Sequence, residues 1–367
     1  MRILLTTIVD NVNFGTYLQA YATVRKLEER GHSVDVLNYI RPYLTGKVYA
    51  KKCLKDRRRN VFMRYLYAAG HMVLNSFMIW QVKRFLARRA KLTHKCSSLE
   101  EVQRLAGNYD LYLTGSDQVW NSQHNHGMDG VFFWSGVKGK KAAYAASIGF
   151  ESFPEEEREP VYRLLSDYAV ISVRESSGIK ALSQVGIHDV RQALDPTLLL
   201  TKSEWSALSK RGFKKDIPYL LVYSVEPKRD SAVIAVARKI ASERGLKVFW
   251  VGPTLKFKSQ ANVDRVFSLA SVECFLSLFE QADYVVVSSF HGTAFAINFN
   301  RQFVTVAPER FNTRVNSLLQ LLHLENRYIQ NEGQIPGNDI DYAEVNGILQ
   351  EERNKSMEVM DLIGSLD

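Results

Sequence analysis

Short apolar runs alternate with segments of helical period along most of the chain, and this alternation constrains the fold more than any other feature. Buried strands separated by amphipathic helices form βαβ units, which build parallel sheets with helices on both faces. The pattern restarts near residue 211, so we expect an α/β protein with two doubly wound, Rossmann-like domains facing a cleft. The predicted strands lie at 2–8, 33–37, 111–114, 141–147 and 168–173, and then at 219–223, 247–251, 284–288 and 303–306.

The same pattern predicts the domain boundaries. A chain of 367 residues is long enough for two domains of ordinary size. The N-terminal domain is expected at 1–210, with a basic helical insertion at about 45–100, and the C-terminal domain at 211–330. A linker and a helix at 331–367 are expected to pack back on the first domain.

Cysteine spacing and hydropathy indicate a protein of the reducing cytoplasm. Cys53, Cys96 and Cys274 are far apart and form no CxxC pair, which argues against a disulfide framework and a cysteine zinc site. Asp10 interrupts the N-terminal apolar run, so we expect no secretory signal. No run approaches the roughly 20 apolar residues of a membrane helix. We therefore expect a protein that is soluble, or bound to a membrane surface at most.

The positive charge of the chain is concentrated in one segment. Residues 51–95 hold 13 Lys and Arg against one acid, whereas the rest of the chain has a net charge of −3. Three interpretations stay open: a helical hairpin packed on its own domain with solvated charges, a surface for anionic lipid headgroups or a lipid-linked diphosphate, and an RNA surface. Apolar residues recur there at helical spacing, at Phe62, Leu66, Ala69, Val73, Phe77 and Trp80, among basic residues that include Arg57, Arg58, Arg59, Lys83, Arg84, Arg88 and Arg89.

His291 is the strongest single candidate for chemistry. It follows a predicted strand and precedes a predicted helix, whose first amides, those of Gly292 and Thr293, favour an anion. A histidine there can donate or shuttle a proton; the alternative is a capping or core histidine. No GxGxxG, P-loop, GxSxG or HExxH motif accompanies it, which argues against dinucleotide, kinase, hydrolase and metalloprotease sites.

Three arginines follow predicted strands on the expected ligand edge. Arg174 ends a strand of the first domain, beside Ser176, and suits the capture of a carboxylate or phosphate. The alternative for Arg174 is a surface ion pair with Glu175. Arg310 and Arg314 follow the last strand of the second domain, where each can face an anion or lie in a solvated loop.

Candidates for acceptor binding lie at the carboxyl ends of two strands of the first domain. Asp117 can act as a base or bind sugar hydroxyls, and the face of Trp120 can stack on a sugar ring; the alternative is an Asx turn or helix cap with Trp120 in the core. A lone HxH pair, His124 and His126, is not expected to hold a metal. The other candidates are the turn residues Asn13, Phe14 and Gly15.

Six segments occur in order along the chain: NFGTYLQAYA, DLYLTGSDQVWN, AAYAASIG, ISVRESSG, LDPTLLL and SSFHGTAFAINFNRQFVTV. Together they resemble the polysaccharide pyruvyl transferase family. The resemblance covers most of the chain, from residue 11 to about residue 319, and leaves out the basic segment and the C-terminal tail. It implies a GT-B-like fold, phosphoenolpyruvate as donor, and formation of a pyruvate ketal on two hydroxyls of a hexose.

The resemblance also implies roles for individual residues. Arg174 matches an arginine associated with donor binding, and His291 matches the histidine proposed as acid/base. Arg314 fits a basic position about two dozen residues after that histidine. Ser289 stands where some relatives have an arginine, so Arg310 is the candidate for the second half of the donor clamp. No cofactor is expected, since phosphoenolpyruvate is a co-substrate.

The expected partners are phosphoenolpyruvate and a hexose-containing glycan, with galactose and a 4,6-bridge as the family-based expectation. The acceptor can be linked to a lipid diphosphate at the inner face of the membrane, and no nucleic acid is expected. Two rival functions stay open. One is a glycosyltransferase that uses a nucleotide sugar in the same fold, and the other is a sugar- or lipid-binding subunit without activity.

Overall fold

The computed structural model describes residues 1–44, 60–210, 212–252, 263–307 and 313–366. In this part of the chain, two sheets form, and every strand pair in them is parallel. The first sheet contains β1 (Arg2–Thr6), β2 (Ser33–Val36), β3 (Lys91–Leu92), β4 (Leu111–Thr114), β5 (Lys140–Ala146), β6 (Tyr168–Val173) and β7 (Val190–Gln192). The second contains β8 (Tyr219–Tyr223), β9 (Lys247–Val251), β10 (Arg265–Phe267), β11 (Tyr284–Val287), β12 (Gln302–Val306) and β13 (Tyr328–Ile329).

The strand orders place one switch point in each sheet. The first sheet has the order β3-β2-β1-β4-β5-β6-β7, and the second has the order β10-β9-β8-β11-β12-β13. The direction of winding reverses between β1 and β4 and between β8 and β11. Open α/β sheets bind ligands outside the carboxyl ends of the strands at such points. The expectation of two Rossmann-like domains is therefore confirmed.

Helices cover the sheets and extend beyond them. They are α1 (Phe14–Glu28), α2 (Val61–Ala87), α3 (Leu99–Leu105), α4 (Glu155–Leu165), α5 (Ser176–Ser183), α6 (Pro196–Leu199), α7 (Lys202–Ser209), α8 (Asp230–Arg244), α9 (Val272–Gln281), α10 (Phe290–Asn298), α11 (Thr313–Leu321) and α12 (Tyr342–Gly364).

One continuous hydrophobic cluster joins the two domains. It contains Leu18 and Ile3 from the first domain together with Phe275 and Phe295 from the second. The helix α6 packs on both α1 and α10, and α7 packs on α9 of the second domain. The C-terminal helix α12 returns to contact β5, β6 and α6. The two sheets are thus joined by a hydrophobic core that both domains share.

The described part of the basic insertion is one 27-residue helix, α2. A second arm of the predicted hairpin, with Arg57, Arg58 and Arg59, would lie outside the described residues. The apolar positions that the spacing singles out do not pack on the first domain, since all six are exposed, with Phe62 at 75% and Phe77 at 45%. Other residues of α2, Val82 and Leu86, are buried near its C-terminal end. In the part of the chain that the structure describes, no helix is long and apolar enough to cross a membrane.

Candidate active site

Both switch points face the same cleft, and a hydrogen bond joins them. Tyr223 ends β8, and its hydroxyl donates to Oδ1 of Asn13, which follows β1, at 3.1 Å. The same Asn13 oxygen accepts the Gly15 amide and so caps α1. Polar residues that follow β4, β6, β7 and β11 converge around this junction. The sequence predicts the strands before three of them, but not β7 (Val190–Gln192).

Arg174 lies at the end of β6 and is 5% exposed. Its Nη1 donates to Oδ2 of Asp195 at 2.7 Å, and its guanidinium carbon lies 4.1 Å from the centroid of the Phe290 ring in the other domain. Its Nε and Nη2 are buried without a hydrogen-bond acceptor among the described residues. A buried guanidinium with unused donors is ready to bind a phosphate or carboxylate.

The alternative that pairs Arg174 with Glu175 on the surface is wrong. Glu175 is fully buried, and its Oε1 accepts the amides of Ile148 and Gly149 at 2.8 Å each. Its Oε2 lies 3.8 Å from Nε of Arg174, which is too long for a hydrogen bond. Glu175 therefore fixes the turn after β5, and the strongest partner of Arg174 is Asp195.

Asp195 lies beside both Arg174 and His291, which the sequence predicts as separate candidates. Its Oδ2 lies 3.6 Å from Nε2 of His291 and accepts hydrogen bonds from Arg174 and from Ser116. Its Oδ1 accepts the amide and hydroxyl of Thr197, which caps α6. Burial alone would raise the pKa of Asp195, but His291 and Arg174 outweigh burial and hold that pKa far below its ordinary value.

His291 lies inside the first turn of α10 rather than before the helix, because α10 begins at Phe290 with Ser289 as its N-cap. The expectation that the Gly292 and Thr293 amides bind an anion is wrong. The Gly292 amide donates to the Ser289 hydroxyl oxygen at 3.1 Å, and the Thr293 amide donates to the Ser289 carbonyl at 3.0 Å. The amides of Phe290 and His291 come before these in the first turn, where a helix has no internal acceptor for them.

The imidazole of His291 lies directly against the backbone of Gly15. A Cβ atom built on Gly15 would lie 2.1 Å from Cγ of His291, well inside any real contact. His291 is 4% exposed, and its Nε2 has no hydrogen-bond partner among the described residues. The ring is therefore held between Gly15 of one domain and Asp195, which follows β7.

Arg314 approaches the same cluster from the first turn of α11. Its Nε is buried without an acceptor in the described part of the chain. Burial and the positive charge of Arg174 lower the pKa of Arg314 to about 10. The positive charges of the two arginines oppose each other, and a bound anion would relieve this repulsion. Arg310 lies outside the described residues.

Asp117 is a buried carboxylate at the same junction. Its Oδ2 accepts the hydroxyl of Thr16 at 2.9 Å, and its φ of 75° places it in the left-handed region. Burial would raise the pKa of Asp117, but the charges of His291, Arg174 and Arg314 outweigh this and lower it. A carboxylate with a lowered pKa accepts hydrogen bonds well but is a weak base.

Two candidates for acceptor binding are core residues. Trp120 is 1% exposed, stacks on Phe133 and donates its indole N–H to the Phe132 carbonyl. The expectation that it stacks on a sugar is therefore wrong. Phe14 is equally buried and stacks on Phe275 at 4.5 Å between ring centroids, so its side chain joins the domains and does not face a ligand.

Ser176 lies at an interdomain contact, where its amide donates to the hydroxyl oxygen of Ser317 on α11 at 3.1 Å.

The pKa of His124 is lowered to about 4 by burial and by the charge of Arg41, so His124 is neutral at pH 7. His126 instead contacts the ring of Tyr43. Among the described residues, no group of three or more His, Cys, Asp or Glu could hold a metal ion.

Asp195 is the functional residue that sequence reasoning missed. Its LDPT motif is visible in the sequence, but an Asp before Pro is typical of a turn or a helix N-cap. Asp195 does cap α6, and this role gives no sign of its second one in the site. Its contacts with Arg174 and His291 depend on the order of strands in the sheet. Thr16, the partner of Asp117, was missed for the same reason.

Comparisons with known proteins were made in sequence and in structure. A family model described as "Polysaccharide pyruvyl transferase" matches residues 13–310. Among curated proteins, no sequence matches this chain.

Several solved structures share the fold at low sequence identity. A putative UDP-N-acetylglucosamine 2-epimerase from Listeria monocytogenes has 9% identity and a TM-score of 0.56, over 97% of this chain and 90% of that one. A UDP-GlcNAc 2-epimerase from Methanocaldococcus jannaschii, in complex with UDP-GlcNAc and UDP, has 12% identity and a TM-score of 0.53, over 99% and 98%. AviGT4, a glycosyltransferase involved in avilamycin A biosynthesis, has 12% identity and a TM-score of 0.52, over 100% and 98%. These similarities establish the GT-B fold.

Proposed function

Because this chain belongs to the polysaccharide pyruvyl transferase family, we propose that it transfers the enolpyruvyl unit of phosphoenolpyruvate to a hexose and releases phosphate. Two hydroxyls of the sugar then form a cyclic ketal with the pyruvyl carbon. We propose galactose, bridged at positions 4 and 6, as the acceptor unit in a precursor of a capsule or exopolysaccharide. The scheme requires no metal and no nucleotide.

One observation carries this proposal: each domain contributes an arginine with buried, unused donors. Nε and Nη2 of Arg174 and Nε of Arg314 are buried and lack acceptors among the described residues. Phosphoenolpyruvate carries a carboxylate and a phosphate, which such guanidinium groups bind well. The hydroxyl of Ser289 and the N-terminal end of α10 add a favourable environment for negative charge.

His291 is the proposed general acid. His291 protonates the donor at C3, which gives C2 cationic character, and a sugar hydroxyl attacks C2 and returns its proton to the imidazole. The C2–O bond to phosphate then breaks as the second hydroxyl closes the ring, and the proton of that hydroxyl leaves with the phosphate. Asp195 is the proposed positioning residue, because its Oδ2 lies 3.6 Å from Nε2 of His291 and also accepts from Arg174.

Asp117 is the proposed acceptor-binding residue. Its lowered pKa makes it a poor base but keeps it ionised at neutral pH, so its oxygens can accept hydrogen bonds from sugar hydroxyls. Asn13 and Gly15 border the same space from the first domain. We propose that the acceptor is linked to a lipid diphosphate and that the protein works in the cytoplasm at the inner face of the membrane.

A second candidate function uses the same cleft. Two of the structurally similar proteins are described as UDP-GlcNAc 2-epimerase with bound UDP or as a glycosyltransferase. The arginines described here could hold the diphosphate of a nucleotide sugar instead. This alternative predicts stabilisation by UDP or GDP, whereas pyruvyl transfer predicts stabilisation by phosphoenolpyruvate.

The decisive measurement is phosphate release from phosphoenolpyruvate with a panel of aryl and lipid-linked hexosides. We expect release that depends on the hexoside, with a product heavier by one pyruvate ketal. His291→Gln should lower kcat by about 10²–10⁴-fold, because that is the usual contribution of a general acid. Arg174→Lys should raise KM, since lysine keeps the charge but loses the paired donors.

Two exposed residues supply the matched controls. His323→Gln changes an exposed histidine of the second domain, and Arg163→Lys changes an exposed arginine of the first. Both should leave kcat and KM unchanged. No phosphate release with any hexoside, together with stabilisation by a nucleotide sugar, would instead support the glycosyltransferase. The arginines would then bind the diphosphate of the nucleotide sugar.

A further inference from the structure

The helix α2 has an anchored end and an apolar segment. At the anchored end, Val82 and Leu86 are buried in the shared core, and Phe85 packs edge-on against Tyr21 of α1 at 5.7 Å. Lys83 donates to Oδ1 of Asn38 at 2.7 Å, and Arg89 contacts Glu273 of the second domain at 3.5 Å. The direction of α2 relative to the body is therefore fixed.

The apolar segment, residues 61–77, exposes large side chains on several faces of the helix. Phe62 is 75% exposed, Val73 69% and Leu66 57%. These three positions differ by four and seven residues and lie on one stripe. Val61, Met63, Tyr65 and Met72 are also exposed and lie beside or opposite that stripe. A helix with apolar residues on most of its circumference normally has apolar surroundings.

The cations of this part of the chain outnumber the acids near them, although Arg89 and Lys91 are paired with Glu273 and Asp35. Residues 60–95 hold seven Lys and Arg and no Asp or Glu. Arg84 and Arg88 are exposed at the anchored end. The guanidinium carbon of Arg84 lies 4.9 Å from the centroid of the Trp80 ring, which is itself 51% exposed. Trp and Arg together are typical of the boundary between hydrocarbon and headgroups in a membrane.

We infer that the apolar segment of α2 inserts into the surface of an anionic phospholipid bilayer. It lies among headgroups and upper acyl chains without crossing, consistent with the absence of a spanning helix in the described residues. Arg84 and Arg88 contact lipid phosphates at the anchored end. This attachment is independent of the reaction proposed above.

Charge favours a bilayer over a second copy of the chain. A symmetric contact through α2 would bring the exposed Arg84 and Arg88 of two copies toward one interface. An anionic bilayer instead attracts each Lys or Arg near its surface. The apolar segment of about 17 residues is roughly 25 Å long, so several of its side chains can enter the bilayer together.

The test is co-flotation of the full-length protein with vesicles of phosphatidylcholine alone or with phosphatidylglycerol. Wild type should float with the anionic vesicles, less at high salt. The variant Phe62→Ser/Leu66→Ser/Val73→Ser should partition at least roughly tenfold less, because three large apolar side chains no longer enter the bilayer. Arg84→Gln/Arg88→Gln should lose the preference for anionic lipid.

Two control variants make the same kinds of substitution at exposed positions outside α2. Tyr162→Ser/Leu269→Ser/Leu362→Ser removes three exposed apolar side chains outside α2, and Arg163→Gln/Lys355→Gln removes two exposed cations. Both controls should float like wild type. Equal flotation of the α2 apolar variant and its control would overturn the inference.

Trp80 provides a second measurement on the unmodified protein. The chain has five tryptophans, and the other four, Trp120, Trp134, Trp205 and Trp250, are at most 2% exposed. Anionic vesicles should shift the emission of the exposed tryptophan to shorter wavelength, and brominated lipid should quench it. An unchanged spectrum would contradict insertion. Insertion would also be contradicted if the wild type is a dimer that does not bind vesicles and the α2 apolar variant is a monomer.

Discussion

At the scale of single residues, Gly15 has the tightest steric constraint in the site. Its φ is ordinary, so the requirement for glycine comes from the His291 ring, which leaves no room for a Cβ. Gly15→Ala should destabilise the fold by about 1–3 kcal/mol through overpacking. It should lower kcat/KM by about 100-fold, because a displacement of about 1 Å at a reacting group has that effect.

A helical glycine with free space is the matched control for Gly15. Gly347 lies in α12, and a Cβ there would meet no atom within 4 Å. Gly347→Ala should raise the free energy of unfolding by about 0.5–1 kcal/mol and leave kinetics unchanged. Urea denaturation and the phosphate-release assay measure both quantities. Full activity in Gly15→Ala would show that the ring of His291 tolerates displacement.

Arg314, a proposed donor-binding residue, has a cost in stability. Its pKa is lowered to about 10 by burial and by Arg174, so it stays charged at neutral pH, but its charged form is less stable in the folded protein than in the unfolded chain. Arg314→Met should therefore leave the free energy of unfolding unchanged or raise it by about 1–2 kcal/mol. The same variant should lose the stabilisation that phosphate or phosphoenolpyruvate gives to wild type.

The measurement for Arg314 is thermal unfolding in chloride buffer, with and without added phosphate. Arg163→Met is the control, because Arg163 is exposed and pairs with Glu159 on its own helix; it should respond to phosphate like wild type. A loss of more than about 1 kcal/mol in Arg314→Met without phosphate would instead identify Arg314 as a structural cation with a satisfied partner.

Single residues could be predicted where the backbone decides their position. Arg174, His291 and Asp117 follow strands, so their location at the ligand edge could be read from the sequence. Trp120 could not, because the path of the loop after β4 decides whether its ring faces the cleft or the core. Asp195 could not either, since its partners come from β6 and α10.

At the scale of elements, the N-cap of α10 holds His291 in place. The Ser289 oxygen accepts the Gly292 amide. Ser289→Ala should lower the free energy of unfolding by about 1 kcal/mol through loss of this cap. Ser271→Ala is the matched control, because Ser271 caps α9 in the same way. Both variants should destabilise the fold similarly in urea, but only Ser289→Ala should also change KM for the donor. Equal effects on KM would place Ser289 outside the donor site.

The strands were easier to predict than the insertion. Strands such as β4, β6, β8 and β9 are continuous apolar runs bounded by polar residues, so their limits match those expected. The strands β3, β10 and β13 have two or three residues and no such run. In α2, apolar spacing predicts a helix correctly, but periodicity alone does not say whether protein or another medium surrounds it.

At the scale of the whole molecule, the two domains share a hydrophobic cluster as well as a cleft. Phe14 stacks on Phe275, and Arg353 of α12 donates to the Leu198 carbonyl and to Asn298 of α10. The sequence predicts two domains because the βαβ rhythm restarts, but it does not predict this shared core. The contacts come from helices distant in the chain. They join the domain that carries Arg174 to the domain that carries Arg314.

These two arginines have a consequence for how the proposed reaction runs over many turnovers. Their unused donors bind a phosphate that arrives on the donor and a phosphate that has just been released in the same way. In the proposed reaction, inorganic phosphate therefore competes with phosphoenolpyruvate for the empty site. The rate of the proposed glycan modification then follows the ratio of donor to free phosphate rather than the concentration of donor alone.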